Sequence, residues 1–119
     1  MILSIHCQSE FTDFEYFKNI MDNFIKEYSD ITHCYTGRSA STLLAQQYFE
    51  NSSVICETPK LSHIKVQNLF KIMEQSDISL FFFREDVNTG MQLTRKTISR
   101  AKNLNKQFQI VDYPLADNE

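Results

Sequence analysis

The chain is expected to fold as a single Rossmann-like, doubly wound α/β domain, with a five-stranded, mainly parallel sheet and helices on both faces. Three observations predict this. Short apolar segments alternate with amphipathic ones in the order β-α-β-α-β-α-β-α-β, joined by short loops, and each helix must return right-handed across the sheet to reach the next parallel strand. The segment Ile78–Phe83 is apolar almost throughout, as a central strand covered on both faces must be. The only 2 glycines, Gly37 and Gly90, each follow a threonine between a strand and a helix. Glycine used so sparingly marks a backbone needing positive φ, or a place where something approaches the main chain closely.

The elements follow in order. Ile2–Cys7 is the first strand, and after a polar turn Thr12-Asp13-Phe14-Glu15 forms a capping-box pattern with Thr12 as cap and Glu15 reaching back. Phe14, Phe17, Ile20, Met21, Phe24, Ile25 and Tyr28 recur at helical spacing and give helix one a wide apolar face. Strand two is Ile31–Tyr35; Ser39 or Ser41 then caps a helix carrying Leu43, Leu44, Gln47 and Tyr48. Strand three is Ser53–Glu57, closed by Thr58-Pro59, because proline lacks a ladder donor and restricts its neighbour. Helix three runs from about Ser62 to Gln75 and buries Leu61, Ile64, Leu69, Ile72 and Met73. Ile78–Phe83 is strand four, and helix four starts near Gly90 with Met91, Ile98, Ala101 and Leu104 inward and its basic residues mostly outward. Phe108–Asp112 is strand five, so the domain covers 1–112 and 113–119 reads as a polar tail.

A length of 119 residues suits one core and not two. With 42% hydrophobic and 23% charged residues the chain has the balance of an ordinary globular protein, which argues against disorder. A net charge of -3 does not suggest a dedicated nucleic-acid or membrane binder, although acids dominate 1–30 and bases dominate 84–106. Those segments are either solvated faces of opposite sign or an electrostatic partner surface. No apolar run is long enough to span a membrane and Met1–Cys7 lacks the features of a signal peptide, so a cytoplasmic protein is expected. The 3 cysteines, Cys7, Cys34 and Cys56, are widely spaced and odd in number, which predicts buried free thiols and no disulfide framework. His6-Cys7 and His33-Cys34 do not predict a metal site, since adjacent strand residues point to opposite faces.

In such sheets ligands bind outside the carboxyl ends of the strands, where strand order reverses. The polar loops Cys7–Phe11, Thr36–Ser39, Thr58–Leu61 and Arg84–Gly90 are predicted to lie there. Free N–H groups and the positive end of the helix dipole at such turns favour anions, with Arg38 and Arg84 as the available cations. The plainer alternative is that Gly37 and Gly90 only permit tight turns and both arginines are solvated.

Several motifs carry a family resemblance: Phe11-Thr12-Asp13 after strand one, Thr36-Gly37-Arg38-Ser39-Ala40 before a helix, Gln67-Asn68 with Met73, Ser76-Asp77 before the apolar strand, and Asn88-Thr89-Gly90-Met91 before a helix ending Arg100-Ala101-Lys102. Together, over about residues 2–112, they resemble the SLOG superfamily, and most of all its small YspA/YpsA-related branch. The resemblance implies a Rossmann-like domain that binds nucleotides or nucleotide-derived signals, with relatives acting as phosphoribohydrolases. It implies a ligand site drawn from Cys7, Gln8, Ser9, Phe11, Thr36, Gly37, Arg38, Ser39, Asn68, Arg84, Asn88, Thr89, Gly90 and Met91. That branch usually carries Gly-Ser-Arg where this chain has Cys7-Gln8-Ser9, an Arg-Asn pair where it has Gln67-Asn68, and Gly-Thr where it has Gly90-Met91.

Phosphoribohydrolase relatives use a glutamate in a helix after a glycine-rich loop, whereas Met91-Gln92-Leu93-Thr94-Arg95 offers no carboxylate. Non-catalytic binding, by sequestration or sensing and without a cofactor, is therefore expected ahead of N-glycosidic hydrolysis. The phosphate would lie near Gly37 and Gly90, the charge would be offset by Arg38 and Arg84, and the base would be held by Gln8, Asn68 or Phe11. A homodimer is expected through helices one and three. The main alternative is a protein-interaction or inhibitor module with a decayed pocket and a host or regulatory protein as partner. The Asn, Lys, Phe and Ile-rich composition suits a phage or mobile-element origin for such a module. Nucleic-acid binding through basic helix four ranks below both.

Overall fold

The computed structural model of the chain describes residues 1–8, 10–37, 39–58, 65–84 and 91–114; the side chains at 39–40, 65–68 and 91–93 lie outside that description. The elements are β1 Ile2–Cys7, α1 Phe14–Glu27, β2 His33–Thr36, α2 Ser39–Tyr48, β3 Ile55–Glu57, α3 Lys65–Gln75, β4 Ile78–Phe82, α4 Met91–Asn103 and β5 Gln107–Val111. They form one 5-stranded sheet in the order β3-β2-β1-β4-β5, with every neighbouring pair parallel. This is the Rossmann-like α/β architecture expected, and all of its strands are parallel.

Alternation along the two central strands sorts the side chains between the faces. Leu3, Ile5 and Cys7 of β1 and Ile78, Leu80 and Phe82 of β4 pack with Phe17, Met21 and Phe24 of α1 and with Leu44 and Ala45 of α2. Phe81 turns the other way and packs with Met73 of α3 and with Ile98 and Ala101 of α4. All five residues of β4 are buried, because helices cover both of its faces. The flanking strands β3 and β5 lie at the edges, and Ile55 and Ile110 there are 51% and 46% exposed.

Several boundaries and caps depart from expectation for local physical reasons. The cap of α1 is Asp13 and not Thr12: its carboxylate accepts from the Tyr16 N–H at 3.1 Å. A charged acceptor also gains from the helix dipole, which a hydroxyl does not. Ser41 is not a cap but lies inside α2, where its Oγ accepts from the Cys7 N–H at 2.8 Å and ties the helix to β1. In α2, Leu43 is 67% exposed. The buried stripe of α4 includes Thr94 and Thr97 beside Ile98 and Ala101, whereas Leu104, expected inward, is 47% exposed. Leu104 belongs instead to the helix terminus. There Asn105 takes φ 54° and the N–H groups of Asn105 and Lys106 donate to the carbonyls of Lys102 and Ala101 at 3.1 and 2.9 Å, a Schellman closure. Tyr113, expected to open a polar tail, is 1% exposed and belongs to the core. The expected contributions of Leu61, Ile64 and Met91 to the core lie outside the described residues or side chains.

Candidate functional site at the carboxyl edge of the sheet

The strand order reverses between β1 and β4, which run parallel: β2 and β3 follow on one side of β1, and β4 and β5 on the other. The crevice past the carboxyl ends of β1 and β4 is therefore where a ligand is expected. Gln8, the residue after β1, is fully buried in it. Its Nε2 donates to the Arg84 carbonyl at 3.1 Å, and its Oε1 accepts from the Arg84 N–H at 2.8 Å and from the Tyr113 hydroxyl at 2.8 Å. The amide thus adds a side-chain rung beyond the backbone bond from the Gln8 N–H to the Phe82 carbonyl at 3.3 Å. Phe11 stacks on Phe82 with centroids 4.9 Å apart and leans on Tyr113 at 4.6 Å. Arg84 turns to the C-terminal segment, where its Nη1 donates to the Tyr113 carbonyl at 2.6 Å and lies 3.7 Å from the Asp112 carboxylate. Gln8, Phe11, Arg84 and Tyr113 are thus brought together, and they pack the crevice from within.

Cys7 is held beside them at 1% exposure. Burial pushes its thiol up to about 12, opposed by the hydrogen bond with Ser41, so it stays protonated at neutral pH and is a poor nucleophile.

A second group forms over β2 and β3. Thr36 ends β2, and its Oγ1 lies 2.9 Å from that of Thr42 in α2 and 3.1 Å from that of Thr58 just past β3; Thr42 and Thr58 are 3.4 Å apart. Thr36 is buried, Thr42 half-buried and Thr58 exposed, so these hydroxyls run from the core to the surface at the head of α2. Gly37, beside them, is not in the left-handed region. A Cβ there would lie 2.6 Å from Leu69 Cδ2 and 3.1 Å from Ile72 Cδ1. Close approach by α3 is thus one of the two reasons expected for this glycine; the other, positive φ, is absent.

Of the remaining expected site residues, Ser39 opens α2, Asn68 sits in the first turn of α3 and Met91 opens α4, with their side chains outside the description. Ser9, Arg38, Asn88, Thr89 and Gly90 lie outside the described residues.

Sequence reasoning missed a buried polar cluster between β1, β4 and α3. Ser4 Oγ lies 2.6 Å from Ser79 Oγ and 2.9 Å from His6 Nε2, while the Ser76 hydroxyl donates to the Met73 carbonyl at 2.7 Å. The His6 ring stacks on Phe81 at 4.6 Å. At 0% exposure Ser4 has no approach for a substrate, so the serine–histidine contact is structural. Its sequence signal was the serine at alternate positions in otherwise apolar strands. Tyr113 had no such signal.

Cavities among the described residues differ in size and place. One of about 180 Å³ adjoins the carboxyl edge, lined by Phe11, Phe14, Leu43 and Leu44. It is smaller than the several hundred Å³ typical of a small-molecule site. Larger ones of about 440 and 500 Å³ lie away from that edge, between α3 and α4 and beside α1 and α2. The first is flanked by Arg95, Lys96 and Arg100; Arg100 donates to Glu74 at 2.6 Å and lies 5.1 Å over the Phe70 ring. Among the described residues no three metal-ligating side chains gather, and no helix is long and apolar enough to cross a membrane. No family model matches the chain, and no curated protein matches it in sequence.

Proposed function

We propose that the protein binds a nucleotide or nucleotide-derived small molecule without transforming it, at the carboxyl edge of the sheet over β2 and β3. The observation that carries this reading is the set of threonine hydroxyls at Thr36, Thr42 and Thr58, within 3.4 Å of one another at the head of α2. Hydroxyls that donate or accept suit ribose and phosphate oxygens, and the first N–H groups of a helix suit an anion. The motif resemblance to the SLOG superfamily supports the same chemistry. In this reading the ligand rests on the edge and not in the β1–β4 crevice, which Gln8 and Phe11 occupy, and the acting unit is a homodimer.

One observation favours a second reading. A crevice packed with the chain's own side chains is what a protein-interaction module that retained the fold and gave up the pocket would have. A thermal-shift panel of nucleotides, cyclic dinucleotides and ADP-ribose derivatives separates the two. Ligand at a hundredfold excess over Kd stabilises the native state by about 2.7 kcal/mol. A selective shift that is reduced in Thr58→Val and Thr42→Val, each referred to its own unliganded melting point, supports the binding reading. A flat response across the panel from well-folded protein removes it and leaves the interaction module.

A further inference from the structure

Cys34 and Cys56 face each other across β2 and β3. The parallel register sets Cys34 directly opposite Cys56, with His33 opposite Ile55 and Tyr35 opposite Glu57 on either side. Adjacent strands run about 4.8 Å apart, and residues in register project to the same face. A disulfide spans Cα separations of about 4.4–6.8 Å, so the ladder already holds the two residues within bonding range. Both thiols lie on the α2 face: Cys34 is in the core with Ala45, and Cys56 Sγ lies 3.8 Å from the Ala45 carbonyl.

The two thiols are unlike. Cys34 is fully buried, whereas Cys56, expected to be buried, is half-buried on a three-residue edge strand. The Cys34 thiol beside it lowers Cys56 against the opposing effect of burial. The same contact, with burial added, raises Cys34, so Cys56 ionises first. A partly exposed, more acidic thiol backed by a second thiol is the arrangement in which oxidation passes to a disulfide. Among the described strands β3 pairs with β2 and stands at the sheet edge, so a single ladder holds it as the bond forms.

We propose that Cys34 and Cys56 form a peroxide-sensitive dithiol, in which oxidation joins the edge strand β3 covalently to β2. The Cys56 thiolate attacks one oxygen of a hydroperoxide, the O–O bond breaks, and the departing alkoxide or hydroxide takes a proton. Cys56 is then a sulfenic acid, oxidised by two electrons. The Cys34 sulfur attacks the Cys56 sulfur and gives up its proton, the S–O bond breaks, and hydroxide leaves as water. The sum is two thiols and one hydroperoxide giving one disulfide, one alcohol or water, and one further water. Cys7, whose thiol is pushed up to about 12 by burial, stays reduced.

Hydrogen peroxide titration of the native wild-type protein, followed by intact mass, thiol alkylation and peptide mapping, tests this. The expected product has lost two hydrogens, gained no oxygen, retains one alkylatable thiol at Cys7, and yields a peptide pair linked through Cys34 and Cys56. Dithiothreitol restores all 3 thiols. Cys56→Ser, at a half-buried edge position, abolishes the product, and Cys34→Ala leaves Cys56 as a sulfenic acid that dimedone traps. Wild-type protein that accumulates sulfinic acid at Cys56, links through Cys7 or between chains, or leaves all thiols free at peroxide excess overturns the proposal. The wild-type mapping decides it even where Cys34→Ala does not fold.

Discussion

Replacing Gln8 by alanine removes the side chain that joins β1 to Arg84 and Tyr113 across the β1–β4 crevice, and the structure sets the cost. Three hydrogen bonds disappear together: one to each backbone group of Arg84 and one from the Tyr113 hydroxyl. A buried group left without its partner costs about 1–3 kcal/mol. The Tyr113 hydroxyl is deeply buried, while the Arg84 backbone is close enough to the surface for water to recover part of its loss. With the void left by the amide, the sum is about 3–5 kcal/mol, a large share of the roughly 5–15 kcal/mol by which domains are stable. Tyr113→Phe removes only one donor and leaves Gln8 Oε1 bonded to the Arg84 N–H, so its cost is about 1 kcal/mol. Urea unfolding of wild type, both single variants and the double variant measures these values and the coupling between the two residues, about 1 kcal/mol for a direct contact. A Gln8→Ala cost below about 1 kcal/mol, or strict additivity in the cycle, would refute the account of the crevice as packed and hydrogen-bonded from within.

Other perturbations test separate features. Asn105→Gly is expected to stabilise by about 0.5–1 kcal/mol, because Asn105 holds φ 54° at the end of α4, and Asn105→Ala to destabilise by about 1 kcal/mol; thermal unfolding reads both. Asp13→Ala costs about 1 kcal/mol through loss of the α1 cap, whereas Thr12→Ala stays within a few tenths, the reverse of what a Thr12 cap requires. Stability should fall as pH rises from 9 toward 12, since the unfolded chain releases the Cys7 proton at its ordinary 9.0 while the folded chain retains it to about 12. Denaturant titrations at pH 8 to 11 should show a shallower decline for Cys7→Ala.

The fold was legible because it is written in local patterns. The bounds of β1 came directly from Ile2–Cys7, and the burial of β4 from its unbroken apolar run. Strand ends and caps drifted by a few residues where two neighbours compete for one role, as Thr12 and Asp13 do. The site was less legible for a different reason. Gln8 meets Arg84 76 positions away and Tyr113 105 positions away, and no periodicity connects them. Tyr113 lies next to Pro114 after the last strand, a context that reads as tail. Of the two reasons expected for Gly37, positive φ and close approach, the second holds, and what approaches is Leu69 of the chain itself.

The hydroxyl cluster between the central strands bears on how the sheet finds its alignment. A slip of β4 against β1 by one residue turns apolar side chains outward and is self-defeating. A slip by two keeps every side chain on its own face, and Leu3, Ile5, Ile78 and Leu80 would accept it with little protest. It would, however, part Ser4 from Ser79 and remove the hydrogen bond that joins the strands in a dry interior, at about 0.5–1.5 kcal/mol. The serines thus work as a vernier between the strands, discriminating between alignments that the oily residues treat as equivalent.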